Sequence, residues 1–451
     1  MDSKREAFLQ ELTRQAEKRN RIPMELYQKY SVKRGLRNED GSGVLVGLTE
    51  IGDVHGYIID EGDIIPDEGR LIYRGINITE LVTGLQQENR PGFEEASYLL
   101  LFGDLPTARQ LEQYTSLVGE SRALPNSFTE DMILKAPSHD VMNKLARSVL
   151  VMYSYDSNPD DVSLGNVLRQ SIELIARMPT MAAYGYMAKR HYFDGQSLFI
   201  HNPRKDLNTA ENLLHLMRPD SRFSKLEAET LDLALVLHAE HGGGNNSTFT
   251  VRVVTSSATD TYSAIAAGIG SLKGPLHGGA NLKVREMMEN IKAGVKDWKD
   301  EEEVRAYLSK IVRKEAFDRS GLIYGVGHAV YTLSDPRAVL LQEKAADLAV
   351  EKGLETEFGL HRIVARLAPE VLKKDKNSNK VVAANVDFYS GFVYQMLNIP
   401  TEMYTPIFCI ARTAGWAAHR IEELVSGVRI IRPAYRDVLK NRPYLPISER
   451  R

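Results

Sequence analysis

The sequence predicts an almost entirely α-helical protein, and three observations carry that prediction. From about residue 75 to the end, apolar residues recur at helical spacing. Alternating strand–helix units, the mark of a doubly wound parallel sheet, are missing. The β-rich pieces are short and confined to residues 43–74, where Gly, Asp and Pro recur between runs such as Gly-Tyr-Ile-Ile and Leu-Ile-Tyr, so small strands and tight turns are expected there.

Residues 4 to about 20 predict an amphipathic helix, with Phe8, Leu9, Leu12 and Ala16 on one side. In 301–315, Val304, Tyr307, Leu308, Ile311 and Val312 form a single apolar stripe. A helix is expected from Asp335, an N-cap followed by Pro336 at the first helical position, to near Gly353. Thr405-Pro406 predicts another helix start by the same logic. Residues 156–161 and the basic stretch 373–380 read as exposed connections.

Composition excludes several function classes. Lys plus Arg (57) nearly balances Asp plus Glu (60), and a net charge of -3 gives no reason to expect a nucleic-acid or membrane-surface binder. The lone cysteine, Cys409, allows no intrachain disulfide; it reads as a core residue and fits a reducing, cytoplasmic setting. The N-terminal residues lack the apolar core of a secretory signal, and no apolar run reaches the roughly 18 residues needed to span a bilayer.

The chemistry-bearing motifs lie in the C-terminal half. His277 stands in Gly-Pro-Leu-His-Gly-Gly-Ala-Asn, His328 in Gly-Val-Gly-His-Ala-Val-Tyr, and Asp387 in Asn-Val-Asp. Two imidazoles and a carboxylate suffice to abstract a proton beside a carbonyl and stabilise the enol that results. The small residues around them would let a ligand approach the backbone. A helix start is expected after Asn281, and an imidazole near a helix N-terminus is disfavoured as a cation. Each motif also has a plainer reading: His277 as a turn residue, His328 in a Gly-rich helix junction, and Asp387, on its own string, better as a helix N-cap.

Two arginines stand in unexpected places. Arg337 falls in the first turn of the helix that begins at Pro336, where a cation opposes the helix dipole and an anion would relieve the conflict. Arg412 is the only charge in the apolar stretch 407–418, so it needs either an internal ion pair or an anionic ligand. His238 and His241 form His-Ala-Glu-His before Gly242, a spacing unlike that of zinc peptidases. A helix C-terminus capped by Gly242 would make His241 a hydrogen-bond donor. The Gly268-Ile-Gly270 pair does not follow a strand and reads as helix packing rather than a dinucleotide loop.

Taken in order, these motifs resemble the citrate synthase family. The likeness runs from Val54-His-Gly-Tyr and Leu71-Ile-Tyr-Arg74-Gly75, through 96–107, to Ile431-Arg432-Pro433. It implies a large helical domain (1–278 and 399–451) and a small one (279–398) with the site in the cleft. It implies acyl transfer from acetyl-CoA to oxaloacetate, with Asp387 as base, neutral His277 stabilising the enol and His328 protonating the ketone. His241, Arg337 and Arg412 would hold the oxaloacetate carboxylates, joined by Arg432 across a homodimer interface. The CoA adenine would lie against Leu322, Ile323, Gly325, Val326 and Gly327, with Lys376 and Lys380 near its phosphates. Neither metal nor cofactor is expected. Position 332, basic in many relatives, is threonine here, so the phosphate contacts should differ. One methylene is worth only about 1–3 kcal/mol in a pocket, so propionyl-CoA and a 2-methylcitrate product remain open. A non-catalytic citrate or CoA sensor on the same fold is the reading from another class, disfavoured by the intact His277, His328 and Asp387.

Overall fold

The computed structural model describes residues 3–38, 40–60, 63–376, 380–427 and 429–450. The chain divides into two compact units. One is Met1–Leu48 with His328–Val330, and the other is Thr49–Gly327 with Tyr331–Arg451. In the first unit the N-terminal amphipathic pattern forms the helix Ser3–Arg19, followed by the short helix Met24–Lys29.

The second unit opens with an antiparallel sheet of three strands, β1 (Gly52–Asp60), β2 (Asp63–Tyr73) and β3 (Ile76–Asn77), in that order. β1 and β2 pair from Gly52↔Tyr73 to Asp60↔Asp63, with a bulge between His55 and Tyr57. They are longer than the short pieces expected, because a Gly/Asp/Pro-rich run tolerates a hairpin when the partner strand supplies its hydrogen bonds.

Helices make up most of the rest. The helix Tyr404–Val425 is apolar almost all round, and Ile407, Cys409, Ile410, Ala411, Ala414, Trp416 and Ala418 are fully buried along it. Such a helix is stable only when enclosed. It packs against Leu164–Asp194, Phe93–Phe102, Lys225–His238, Asn246–Thr255 and Thr261–Leu272. It begins one residue before the predicted Thr405 start, continuing from the 3-10 turn Thr401–Met403. Thr405 therefore does not cap it, and the Thr405 hydroxyl donates to the Gly278 carbonyl instead (2.9 Å).

The helix Pro336–Lys352 matches its predicted span, N-capped by Asp335 and closed by Gly353 in the left-handed conformation, whereas Glu301–Val312 stops three residues short of the expected 315, before a turn in which Lys314 has φ +66°. Glu301–Val312 packs on Glu355–Asp375, and Val386–Met396 packs on both Ala280–Gly294 and Pro336–Lys352. Two predicted connections are more ordered than expected. Lys373–Asp375 still belongs to Glu355–Asp375, so that exposed connection starts only at Lys376; Asn377, Ser378 and Asn379 lie outside the described residues. The Asp156 side chain is tied to Arg169 (2.8 Å), Gln170 (2.9 Å) and the Tyr262 hydroxyl (2.7 Å). Gly268 lies inside Thr261–Leu272 against Val251 and Trp416, as helix packing requires.

Candidate active site

The ring of Phe408 is the meeting point. Arg412, one turn later on the same helix, holds its guanidinium 4.8 Å from the Phe408 centroid. The His238 ring lies at 4.7 Å and the His277 ring at 6.2 Å. Arg412 is 0 % exposed, and its Nε donates to the His238 carbonyl (2.8 Å). Its Nη1 and Nη2 meet no hydrogen-bond partner among the described residues, and no ion pair reaches it. Burial lowers its pKa to about 10, against the pull of Glu240 and Tyr73. Of the two alternatives open to this guanidinium, the internal ion pair is absent among the described residues.

Arg337 is differently placed. Its Nε and Nη2 meet Asp335 Oδ1 (3.0 Å) and Oδ2 (2.7 Å), and it lies 5.4 Å from the Tyr331 ring. Asp335 also caps the helix through the Arg337 amide (3.0 Å), so the chain's own carboxylate relieves the dipole conflict noted above. Burial works against the Arg337 charge, but Asp335 outweighs it and holds the pKa above the ordinary arginine value. Tyr331 in turn places its ring 5.6 Å from that of His241, edge-on.

His241 reaches this position because its helix stops early. Lys225–His238 ends four residues before Gly242, not at it. The Tyr73 hydroxyl from β2 donates to the Val236 carbonyl (2.9 Å) and accepts from the Glu240 amide (3.1 Å). Those two backbone groups would otherwise bond each other as i and i+4. His238, the last helical residue, is fully buried; burial, then the charges of Arg337 and Arg412, push its pKa well down.

His277 sits on a turn in which its own amide (2.9 Å) and that of Gly278 (3.1 Å) both donate to the Gly274 carbonyl. A Cβ on Gly278 would come within 2.3 Å of the Leu272 carbonyl, so only glycine fits. His277 Nε2 bonds the Ser247 hydroxyl (2.9 Å), and burial together with Arg412 lowers its pKa to about 4. The ring is therefore neutral at neutral pH.

Asp387 is the second residue of Val386–Met396, and the N-cap is Asn385, whose Oδ1 accepts from the Asp387 amide (3.0 Å). The plainer reading of Asp387 as the cap is thus overturned, and its carboxylate is left for other use. Burial raises its pKa to about 6; Arg337 and Arg412 hold it down while Asp335 pushes it up. Asp335 Oδ2 also accepts from the Val386 amide (3.1 Å), so one carboxylate fixes both Arg337 and the start of the Asp387 helix.

The Gly-rich loop is stitched to the segment before Asp387. Gly327 N–H donates to Ala383 O (2.8 Å), Asn385 N–H to Gly325 O (2.8 Å) and Asn385 Nδ2 to Gly327 O (2.9 Å). Gly325 has φ +76°, and a Cβ there would lie 3.0 Å from the Phe388 Cα. Along this loop Leu322 is exposed, Ile323 buried and Val326 paired with Ala384. Lys376 and Lys380 are exposed. The Thr332 hydroxyl donates to the Gly56 and Asp67 carbonyls. Arg432 is exposed in the extended tail and is not brought to the other site residues within this unit; the preceding Ile431 amide is held by Ser256 (3.0 Å). His328 belongs to the other unit, where its Nδ1 accepts from the Val330 amide (3.0 Å), which puts the proton of the neutral ring on Nε2.

Thus His241, His277, Arg337, Arg412 and Asp387 all lie within one unit, and charge effects link Asp387 to both arginines and His277 to Arg412. Phe408, Ser247, Tyr73 and Asp335 escaped sequence reasoning as site residues. Asp335 and Asn385 carried an N-cap signal, whereas Ser247 and Tyr73 had none.

Clustering buried cations, neutral imidazoles and a carboxylate of raised pKa suits an enzyme that binds an anion and moves a proton. The profile described as "Citrate synthase, C-terminal domain" matches residues 40–434. The citrate synthase of Acidithiobacillus ferridurans is 36% identical over 395 residues, covering 85% of this chain and 93% of the relative. A 2-methylcitrate synthase of Shewanella oneidensis is 34% identical, covering 84% and 92%. The crystal structure of citrate synthase from Pyrobaculum aerophilum superposes with TM-score 0.73 at 32% identity, covering 91% of this chain and 94% of that one. The chain belongs to the citrate synthase family.

Proposed function

We propose that this protein condenses acetyl-CoA with oxaloacetate and water to give citrate and CoA. The observation that carries the reading is the buried Arg412 guanidinium, two of whose nitrogens meet no partner among the described residues, and whose charge acts on both a neutral imidazole and a carboxylate of raised pKa. Oxaloacetate is a dianion, and its carboxylates are the partners that Arg412 lacks. Arg337 and His241 hold the same substrate, with Arg432 of a second subunit completing the site in a homodimer. The adenine of CoA lies against Leu322–Gly327, and Lys376 and Lys380 stand near its phosphates.

Asp387 takes a proton from the acetyl methyl group. A pKa of about 6 leaves it ionised at neutral pH yet more basic than an ordinary aspartate. His277, neutral and engaged at Nε2 by Ser247, donates from Nδ1 to the thioester oxygen and stabilises the enol. The enol carbon attacks the oxaloacetate ketone, whose oxygen takes the Nε2 proton of His328. Water then cleaves the citryl thioester. The reaction as written calls for no metal or cofactor. Closure of a small domain (279–398) on the large one would assemble the set only after oxaloacetate binds, limiting thioester hydrolysis. The balanced charge and single cysteine favour the cytoplasm, and no helix among the described residues is long and apolar enough to cross a membrane.

A second reading, 2-methylcitrate synthesis from propionyl-CoA, is favoured by the Shewanella relative. Thiol release with oxaloacetate and each acyl-CoA separates the two; no CoA from either substrate overturns both. Mixing inactive Arg432→Ala with inactive Asp387→Ala subunits should restore part of the activity. No recovery despite subunit exchange removes Arg432 from the site.

A further inference from the structure

Among the described residues, Ser247 Oγ has three hydrogen-bond partners. Trp416 Nε1 donates to it (3.3 Å), His277 Nε2 lies at 2.9 Å, and Asn245 Oδ1 lies at 2.9 Å as the acceptor of its proton. A hydroxyl offers one proton and two lone pairs, and an indole N–H can only donate. Trp416 therefore occupies one lone pair permanently. Its ring is fully buried against Gly268, so it cannot turn away. One proton and one lone pair remain for His277 and Asn245 to share.

Only two arrangements satisfy that count. With Asn245 Oδ1 facing Ser247, the hydroxyl proton goes to the amide oxygen. The remaining lone pair then accepts from His277 Nε2–H, and Nδ1 is left bare. With the amide turned by half a rotation, Nδ2–H donates to Oγ and the hydroxyl proton goes to Nε2. His277 then carries its proton on Nδ1. The amide is not anchored otherwise. Asn245 stands at the N-cap of Asn246–Thr255, a position where asparagine ordinarily caps a backbone amide, yet its side chain caps none. Among the described residues, its only side-chain hydrogen bond is to Ser247.

We propose that Asn245 is a positioning residue that sets the tautomer of His277 through the Ser247 hydroxyl, with Trp416 holding the oxygen in register. The proposal rests on the reading above, in which His277 must donate from Nδ1. Turning one amide thus decides whether the site can stabilise an enol.

The test is ¹⁵N NMR of the histidine rings in the oxaloacetate-bound protein, read beside kcat. Wild type should show His277 protonated on Nδ1. Asn245→Asp keeps the shape but can only accept, so His277 should move to the Nε2–H form and kcat should fall by about 10²–10³, the cost of losing one donor to a developing oxyanion. Asn245→Ala frees the hydroxyl proton for His277, so Nδ1–H should persist and kcat should fall far less than in Asn245→Asp. A purely structural role would rank the two variants the other way round. In a Ser247→Ala background, Asn245→Asp should add nothing. Nδ1–H retained in Asn245→Asp, or an imidazolium signal there (charge acting rather than hydrogen-bond register), overturns the proposal. The tautomers are read without turnover. A chain that showed them as expected but released no CoA would support the relay and overturn the condensation reading.

Discussion

Replacing Arg412 by methionine should make the ligand-free protein slightly more stable and the enzyme nearly unable to hold oxaloacetate. The fall of the Arg412 pKa from its ordinary value to about 10 corresponds to about 3 kcal/mol by which the fold disfavours the cation. Methionine removes that burden and fills much of the same volume. The substitution forfeits the Nε bond to His238 O, about 1 kcal/mol, and the contact with Phe408, about 1 kcal/mol. The net effect on the apo protein is a gain on the order of 1 kcal/mol. Oxaloacetate loses its buried partner, which costs about 3 kcal/mol, or roughly 10²-fold in affinity. Thermal unfolding with and without the substrate reads both effects together. At a hundred times its dissociation constant, oxaloacetate should stabilise wild type by about 2.7 kcal/mol, and at that same concentration the variant should gain far less. If the variant lost more than about 2 kcal/mol without ligand yet kept the full response to oxaloacetate, Arg412 would be structural and the argument from its unpartnered nitrogens would fail.

Asp387→Ala should cut turnover by orders of magnitude while oxaloacetate binding, measured by calorimetry, stays nearly intact; a comparable loss of binding would count against the base assignment. In wild type, kcat/KM for acetyl-CoA should rise with pH through about 6 as Asp387 ionises. His277, neutral above about 4, should add no further limb in that range. Tyr73→Phe lets the Glu240 amide bond Val236 O directly, so the helix should extend and carry His241 out of place. KM for oxaloacetate should rise and stability fall by about 1 kcal/mol, and an unchanged KM would rule out this role of the hydroxyl. Asp232 is buried, its pKa raised to about 7 by burial and the neighbouring Glu94. The folded state therefore binds its proton more tightly than the unfolded chain does. Its contribution to stability is full below about pH 4 and declines as pH rises toward 7, by about 4 kcal/mol at most. Asp232→Asn should flatten the thermal midpoint over that window, and an unaltered slope would refute the assignment.

The sequence by itself determined the helical class, the bounds of helices such as Pro336–Lys352, and the residue types at the site. Local physics sufficed for these: apolar spacing selects a helix, Asp-Pro starts one and glycine ends one. It also singled out Arg412, because a lone charge in an apolar helix demands an explanation wherever it lies. What the string left open was partnership between distant residues. Only the tertiary structure decided that Asp335 pairs with Arg337 while Arg412 meets no ion-pair partner among the described residues, that Asn385 and not Asp387 caps its helix, and that Ser247 and Trp416 stand behind His277. It alone showed the Tyr73 hydroxyl opening the last turn before His241, a hydrogen bond between residues 163 positions apart. A hydrogen bond depends on where its two ends meet in space, and for side chains that far apart along the chain only packing brings them together.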